Sequence, residues 1–89
     1  MDPFQISLEK AGRIAEEAAN VVQAQGLPVG EVAVKLGIPA DEILNYAEER
    51  EVDLIVMGPR DFSTLQRLVL GSIWHGVVSR ARVPVLVVR

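Results

Sequence analysis

Apolar residues recur at helical spacing along the first part of the chain. They follow one another in alternating steps of four and three positions, and the charged residues fall elsewhere: Phe4, Leu8, Ala11, Ala15, Ala18 and Val22. This period is typical of an amphipathic helix. Asp2 is a suitable N-cap, because Pro3 follows it at the first helical position and Gln5 stands three residues after it. We predict a helix that begins at Pro3 and stops at Gly26.

The period changes to two between residues 29 and 36. Three larger apolar residues alternate with Glu31, Ala33 and Lys35 in this segment: Val32, Val34 and Leu36. Such alternation is typical of a strand with one face more deeply buried than the other. We therefore predict a strand at Val29–Leu36, at or near the edge of a sheet.

Helical spacing returns after Gly37-Ile38-Pro39 interrupts the chain. The apolar residues of this segment stand at i, i+3, i+4 and i+7: Ala40, Ile43, Leu44 and Ala47. Asp41 and Glu42 occupy the first turn, where the helix dipole favours acidic side chains. We predict a second helix that ends near Arg50.

Two short, nearly continuous apolar runs complete the pattern. Val52–Met57 and Val83–Val88 are rich in β-branched residues, as are parallel strands covered on both faces. Pro84 stands near the beginning of the second run, where a missing backbone donor is best tolerated. Between the runs, Ser72 is a suitable N-cap for a third helix that ends near Arg80. This alternation of helices and strands predicts an α/β fold with parallel crossovers.

Composition excludes several classes of function. The chain has 89 residues, a formal net charge of −3 and no cysteine, so it has no disulfides, no thiolate nucleophile and no cysteine zinc site. Without a basic excess, duplex nucleic acid is not an expected partner. No apolar run approaches the roughly 20 residues of a membrane span, and no signal sequence is evident at the start. We expect a cytoplasmic protein that binds neither nucleic acid nor membrane.

The segment from Gly58 to Ser72 is the best candidate for chemistry. It leaves a predicted strand at its carboxyl end and leads into a helix, which is where open α/β sheets bind their ligands. Gly58 leaves room for an oxygen atom to approach. Gly71-Ser72 offers the free N–H groups of a helix start, which suit a phosphate. Arg60 and Arg67 can add cationic contacts, although the segment is neither a Walker A nor a dinucleotide motif.

Several motifs occur in the order and spacing of a known family. The segments are 53–58, 67–73, 77–78 and 83–88, preceded by Gly37-Ile38-Pro39-Ala40 at a strand-to-helix junction. Together they closely resemble the C-terminal part of the universal stress protein family. The resemblance covers about residues 29–89, and residues 1–28 match only as a generic upstream helix. It implies a flavodoxin-like parallel sheet with strand order 3-2-1-4-5, similar to adenine nucleotide alpha hydrolases, which often dimerises through its last strand.

One branch of that family binds ATP through the pattern G-x-x-G-x9-G-[S/T]. Gly58, Gly71 and Ser72 match this pattern, but Asp61 occupies the place of the second glycine. A carboxylate there repels phosphates, and a side chain disfavours a positive-φ turn. The candidate cofactor-binding residues, for ATP with Mg²⁺, are Gly58, Arg60, Asp61, Arg67, Gly71, Ser72 and Ile73.

The resemblance also implies that part of the family's domain is missing from residues 1–89. The first strand, the first helix and the second strand have no counterpart here. We therefore expect one N-terminally truncated domain whose parallel sheet has three strands and three flanking helices. Three arrangements stay open: strand 29–36 pairs directly with strand 52–57, a second copy completes the sheet, or the chain is a fragment. Because exposed strand edges associate, we expect a homodimer or larger assembly through Val83–Val88.

Two functions remain as hypotheses. The first is a non-enzymatic, nucleotide-responsive stress protein with a residual phosphate site, and the alternative is a dimerisation or interaction module that has lost nucleotide binding. We do not expect an enzyme, because the sequence suggests no nucleophile or orienting acid near His75. We expect His75 at the surface. Trp74 has two interpretations, an exposed contact residue or a side chain partly buried against residues 62–70.

Overall fold

The computed structural model describes residues 2–58 and 73–88. In chain order the elements are helix α1 (Pro3–Ala24), helix α2 (Pro39–Glu49), strand β1 (Ile55–Met57), helix α3 (residues 73–80) and strand β2 (Val85–Val87). The chain divides into two compact units, Met1–Lys35 and Leu36–Arg89. The first unit contains α1, and the second contains the remaining elements.

Helix α1 begins and ends where its caps predict. The Gln5 backbone N–H donates to Asp2 Oδ1 at 2.8 Å, and the Asp2 N–H donates to Gln5 Oε1 at 3.1 Å. This reciprocal capping box confirms the predicted start. At the other end Gly26 adopts a φ of 86°, a conformation that glycine tolerates without strain. Ala19 is buried, whereas Ala18 of the predicted stripe is exposed.

The predicted strand at 29–36 is wrong. These residues form no strand, and Val32, Val34 and Leu36 are 38%, 42% and 63% exposed. A strand requires a neighbour to complete its backbone hydrogen bonds, and the described sheet consists of β1 and β2 alone. Two strands, not the predicted three, therefore make up the described sheet, and direct pairing of 29–36 with β1 is not found.

Helices α2 and α3 approach each other closely in the second unit. A Cβ added to Gly76 of α3 would lie 3.1 Å from the Ala40 Cβ of α2. An ion pair also joins the helices, with Arg80 Nη2 and Asp41 Oδ1 separated by 2.7 Å. Helix α2 ends as predicted, with Arg50 as its C-cap.

Strands β1 and β2 are parallel, which confirms the α/β class. Their register places Ile55 opposite Val85, Val56 opposite Leu86 and Met57 opposite Val87. The pairing extends beyond the strands, because Ile55 N–H donates to the Pro84 carbonyl at 3.0 Å and Val88 N–H donates to the Met57 carbonyl at 2.7 Å. Pro84 thus accepts a hydrogen bond through its carbonyl and does not need a backbone N–H at this position. This agrees with its predicted place at the start of the strand.

The two faces of this sheet differ in exposure. Ile55 is 9% exposed and lines a cavity together with residues of α2 and α3, and Val77 of α3 is fully buried. The opposite face, which we call the open sheet face, carries four side chains that are about half exposed: Leu54, Val56, Leu86 and Val88. The helices therefore cover one face of the pair and leave an apolar strip on the other.

Gly58 follows β1 and lies directly against the end of β2. A Cβ at this position would lie 3.0 Å from the Val88 carbonyl oxygen and 3.6 Å from the Val88 Cβ. Gly26 and Gly37 are the described glycines with positive φ, so Gly58 is not required for a left-handed turn. Close approach to the neighbouring backbone is the reason for glycine here.

Replacing Val77 should reveal how much stability its burial provides. We expect Val77→Ala to lower the free energy of unfolding by about 2 kcal/mol, because it leaves a cavity in the core of the second unit. Val78→Ala is the matched control, since Val78 is the next residue of α3 and is 55% exposed. Urea unfolding of both variants measures the difference, and equal losses would contradict the assigned core.

A methyl group at position 58 should separate the strand ends. We expect Gly58→Ala to destabilise the protein by about 1–3 kcal/mol, because the Val88 carbonyl belongs to the backbone and cannot rotate away. Gly30→Ala is the control, because a Cβ there meets no atom within 4 Å. Thermal unfolding of the two variants checks this, and a Gly58→Ala protein as stable as the control would show that the contact is not formed.

Candidate functional site

The carboxyl ends of β1 and β2 form one edge of the sheet. Because the strands are parallel, Gly58 and Val88 both lie at this edge. Helix α3 connects the two strands and must run back along them, so the part of α3 nearest Ile73 lies toward the same edge. The ligand-binding position typical of open α/β sheets is therefore the edge that carries Gly58.

The described residues include two of the seven candidate site residues. These are Gly58, which directly follows β1, and Ile73, the first described residue of α3. The other five lie outside the described residues: Arg60, Asp61, Arg67, Gly71 and Ser72. The Ser72 cap predicted for α3 lies outside them as well.

The structure changes the interpretation of the two placed residues. The oxygen that approaches Gly58 is the carbonyl of Val88, so the strand pairing by itself accounts for this glycine. Ile73 is half-buried and stands one helical turn before the fully buried Val77, so its side chain lies on the packing side of α3. Only the backbone N–H of Ile73 is suited to an anionic ligand.

Trp74 is partly buried and not an exposed contact residue. Its indole Nε1 is buried and has no hydrogen-bond partner among the described residues. The sequence gives one signal for this burial, because Trp74 precedes Val77 by three positions on the same side of the helix. Residues 62–70, its expected neighbours, lie outside the described residues.

The described ionisable groups are not clustered as a metal site would require. Within residues 2–58 and 73–88, no three His, Asp or Glu side chains are grouped to hold an ion. His75 is exposed, as predicted. Among the helices of the described chain, none is long and apolar enough to cross a membrane.

Sequence reasoning missed a cavity at the opposite edge of the sheet. It has a volume of about 220 Å³ and lies where α2 and α3 end and the strands begin, with Glu51, Arg80 and Arg82 among the residues that line it. The sequence pattern indicates only solvated or helix-terminating side chains at these positions. The described part of the second unit thus presents two separate features, the carboxyl edge and this cavity.

Comparison with known proteins identifies the family. The model of the universal stress protein family matches residues 2–89. The universal stress protein MJ0531 of Methanocaldococcus jannaschii is 38% identical over 85 residues, which cover 96% of this chain and 45% of that protein. The universal stress protein YxiE of Bacillus subtilis is 39% identical over 90 residues, which cover 100% of this chain and 60% of that protein.

A third relative shows the same pattern of coverage. The universal stress protein MJ0577 of Methanocaldococcus jannaschii is 33% identical over 87 residues, which cover 91% of this chain and 54% of that protein. The chain thus spans about half the length of these curated relatives. Because the family match extends over nearly the whole chain, the chain belongs to the universal stress protein family.

Proposed function

We propose that this chain is a non-enzymatic stress-response protein that binds the phosphates of an adenine nucleotide, ATP with Mg²⁺, at the carboxyl edge. The observation that carries this proposal is the family match across residues 58–72, combined with the position of Gly58 at the carboxyl edge of a parallel strand pair. That edge is the ligand position of open α/β sheets. The three relatives described above are all universal stress proteins.

The proposed contacts come from glycines, a hydroxyl and two cations. Gly58, Gly71 and Ser72 match the nucleotide pattern and contact phosphate and ribose in this proposal, with the Ile73 N–H as a further donor. Arg60 and Arg67 neutralise phosphate charge. Mg²⁺ would bind between phosphate oxygens rather than in a site made by the protein alone.

Asp61 opposes this binding. It stands where the family pattern has its second glycine, and its carboxylate adds a negative charge close to the phosphates. We therefore propose weak binding. A catalytic role is not proposed, because the ionisable residues between Gly58 and Ser72 are Arg60, Asp61 and Arg67. They include no histidine or second carboxylate to pair with a hydroxyl nucleophile.

Calorimetric titration with ATP and Mg²⁺ tests the nucleotide proposal. For the natural chain, we expect a measurable heat of ATP binding with a dissociation constant in the millimolar range. Asp61→Gly should raise the affinity about fivefold or more, because it removes a repulsion of at least the size of an exposed ion pair. Asp53→Gly is the matched control, since Asp53 is an exposed acid at the amino end of β1 and should leave the affinity unchanged.

Two outcomes of this titration would contradict the proposal. If neither the natural chain nor Asp61→Gly binds millimolar ATP, the phosphate site does not exist in this chain. If both aspartate variants gain affinity equally, the effect is one of net charge, and Asp61 has no specific place at the site.

A second function, as an interaction module, is favoured by the open sheet face. Leu54, Val56, Leu86 and Val88 expose 49%, 60%, 52% and 48% of their surface on one side of the strand pair. A contiguous apolar strip of this kind commonly marks a contact surface. In the described sheet β2 pairs only with β1, so its other edge leaves backbone donors and acceptors available for a second strand. Both features favour self-association through Val83–Val88 into a homodimer or larger assembly.

Charge on the open sheet face should prevent this association. We expect the natural chain to scatter light as a dimer or larger species at tens of micromolar, and Leu86→Lys to be a monomer because burying a lysine without a partner is costly. Val78→Lys is the control, because Val78 is 55% exposed on α3, close to the 52% of Leu86. A natural chain that is monomeric, or a control that dissociates equally, would contradict the assigned surface.

A further inference from the structure

The cavity at the amino edge of the sheet combines an apolar interior with a charged rim. Its volume is about 220 Å³. Small and aliphatic side chains from both helices and from the segments that lead into both strands form its walls: Leu44, Ala47, Val52, Ile55, Ala81 and Val83. Glu48, Glu51, Arg80 and Arg82 complete the lining, and all four residues are exposed to solvent, so we call them the rim of the cavity. The cavity is therefore suited to a ligand whose apolar part lies inside it and whose polar group lies among the charged side chains.

The end of α2 fixes the position of Glu51 beside the cavity. Val52 N–H donates to the Ala47 carbonyl at 3.1 Å, and Glu51 N–H donates to the Glu48 carbonyl at 3.2 Å. This pair of bonds is a Schellman motif, whose central residue has positive φ and is usually glycine. Glu51 occupies that position with a φ of 51°. The sequence thus has a carboxylate residue at a position where glycine is easier to accommodate.

The charges around the cavity are not balanced. Arg80 binds Asp41 at 2.7 Å and also donates from Nε to the Gly76 carbonyl at 3.3 Å. Arg82 Nη1 lies 3.7 Å from Glu48 Oε1, so this pair is also largely neutral. For Glu51, no ion pair is found among the residues that the structure describes.

The helix termini add to this negative charge. Helices α2 and α3 both end at this edge, and the carbonyl end of a helix carries a partial negative charge. Helix α2 has no basic residue in its last turn, and its C-cap is Arg50. The rim near Glu51 therefore favours a cation over an anion.

We propose that this cavity binds a small aryl- or alkylammonium compound, with its apolar part against Ile55 and Val83 and its ammonium group at the Glu51 carboxylate. The size agrees with this class, because an apolar cavity of about 150 Å³ holds a benzene ring, and 220 Å³ leaves room for a short aminoalkyl arm. The charge also agrees, because Glu51 and the two helix ends attract a single positive group. This site is separate from the carboxyl edge and does not depend on nucleotide binding.

An amide-resolved NMR titration of the full chain tests the proposal with three probes of similar size. Phenethylammonium carries the positive charge, 2-phenylethanol is neutral and 3-phenylpropionate is negative. We expect phenethylammonium to bind most tightly and 3-phenylpropionate most weakly. The largest shifts should occur at the amides that line the cavity, including Val52, Ile55, Ala81 and Val83.

Two variants assign the binding to the charge and to the cavity. Glu51→Gln should weaken phenethylammonium binding about fivefold, the effect of one exposed ion pair. Glu49→Gln removes the same charge from an exposed residue that does not line the cavity, and should leave the affinity unchanged. Ala81→Leu should fill the cavity and abolish binding of all three probes, while the amide spectrum confirms that the variant is folded.

The proposal fails on any of three results. Equal affinity for phenethylammonium and 2-phenylethanol would show that Glu51 does not recognise the cation. Shifts confined to other parts of the chain would show that the cavity is not the site. An absence of shifts at tens of millimolar phenethylammonium would show that the cavity binds no ligand of this class.

Discussion

The parallel pairing of β1 with β2 is the constraint on which the second unit depends. A parallel pair needs a crossover, of which α3 is the described part, and both Val77 of α3 and Ile55 of β1 are buried. The pairing brings the Val88 carbonyl against Gly58, and it places both carboxyl ends at one edge. It also directs Val56 and Leu86 to the face that the helices do not cover. The proposed ligand edge, the amino-edge cavity and the open sheet face are thus all consequences of one short ladder.

The features predicted correctly from the sequence are those determined by neighbouring residues. The Asp2 and Gln5 capping box is complete within one turn of helix, and the two later apolar runs contain the strands that pair. The strand predicted at 29–36 is wrong. Alternating apolar and polar residues show only that one face of a strand could be buried, and a strand forms only where a neighbouring strand completes its backbone hydrogen bonds. Within the described chain that neighbour is not present. Long-range pairing is therefore the information that the local pattern lacks.

The described part of the candidate site agrees with the sequence in the position of Gly58 directly after β1, but not in the reason for that glycine. The reason for glycine at 58 cannot be read from the sequence, because it is the backbone of Val88, far along the chain. The buried indole of Trp74 and the cavity beside Glu51 depend on how α3 packs, which the helical period alone does not determine.

Hydrogen exchange at two backbone amides tests the central claim most directly. Ile55 and Val88 donate the hydrogen bonds that flank the parallel register, to the Pro84 and Met57 carbonyls. If the pairing of β1 with β2 holds the second unit together, these amides should be among the slowest to exchange in that unit. They should exchange far more slowly than the amides of Val32 and Val34, which lie in the segment that forms no strand. If Ile55 and Val88 exchange as fast as Val32 and Val34, the parallel pairing does not hold the second unit together.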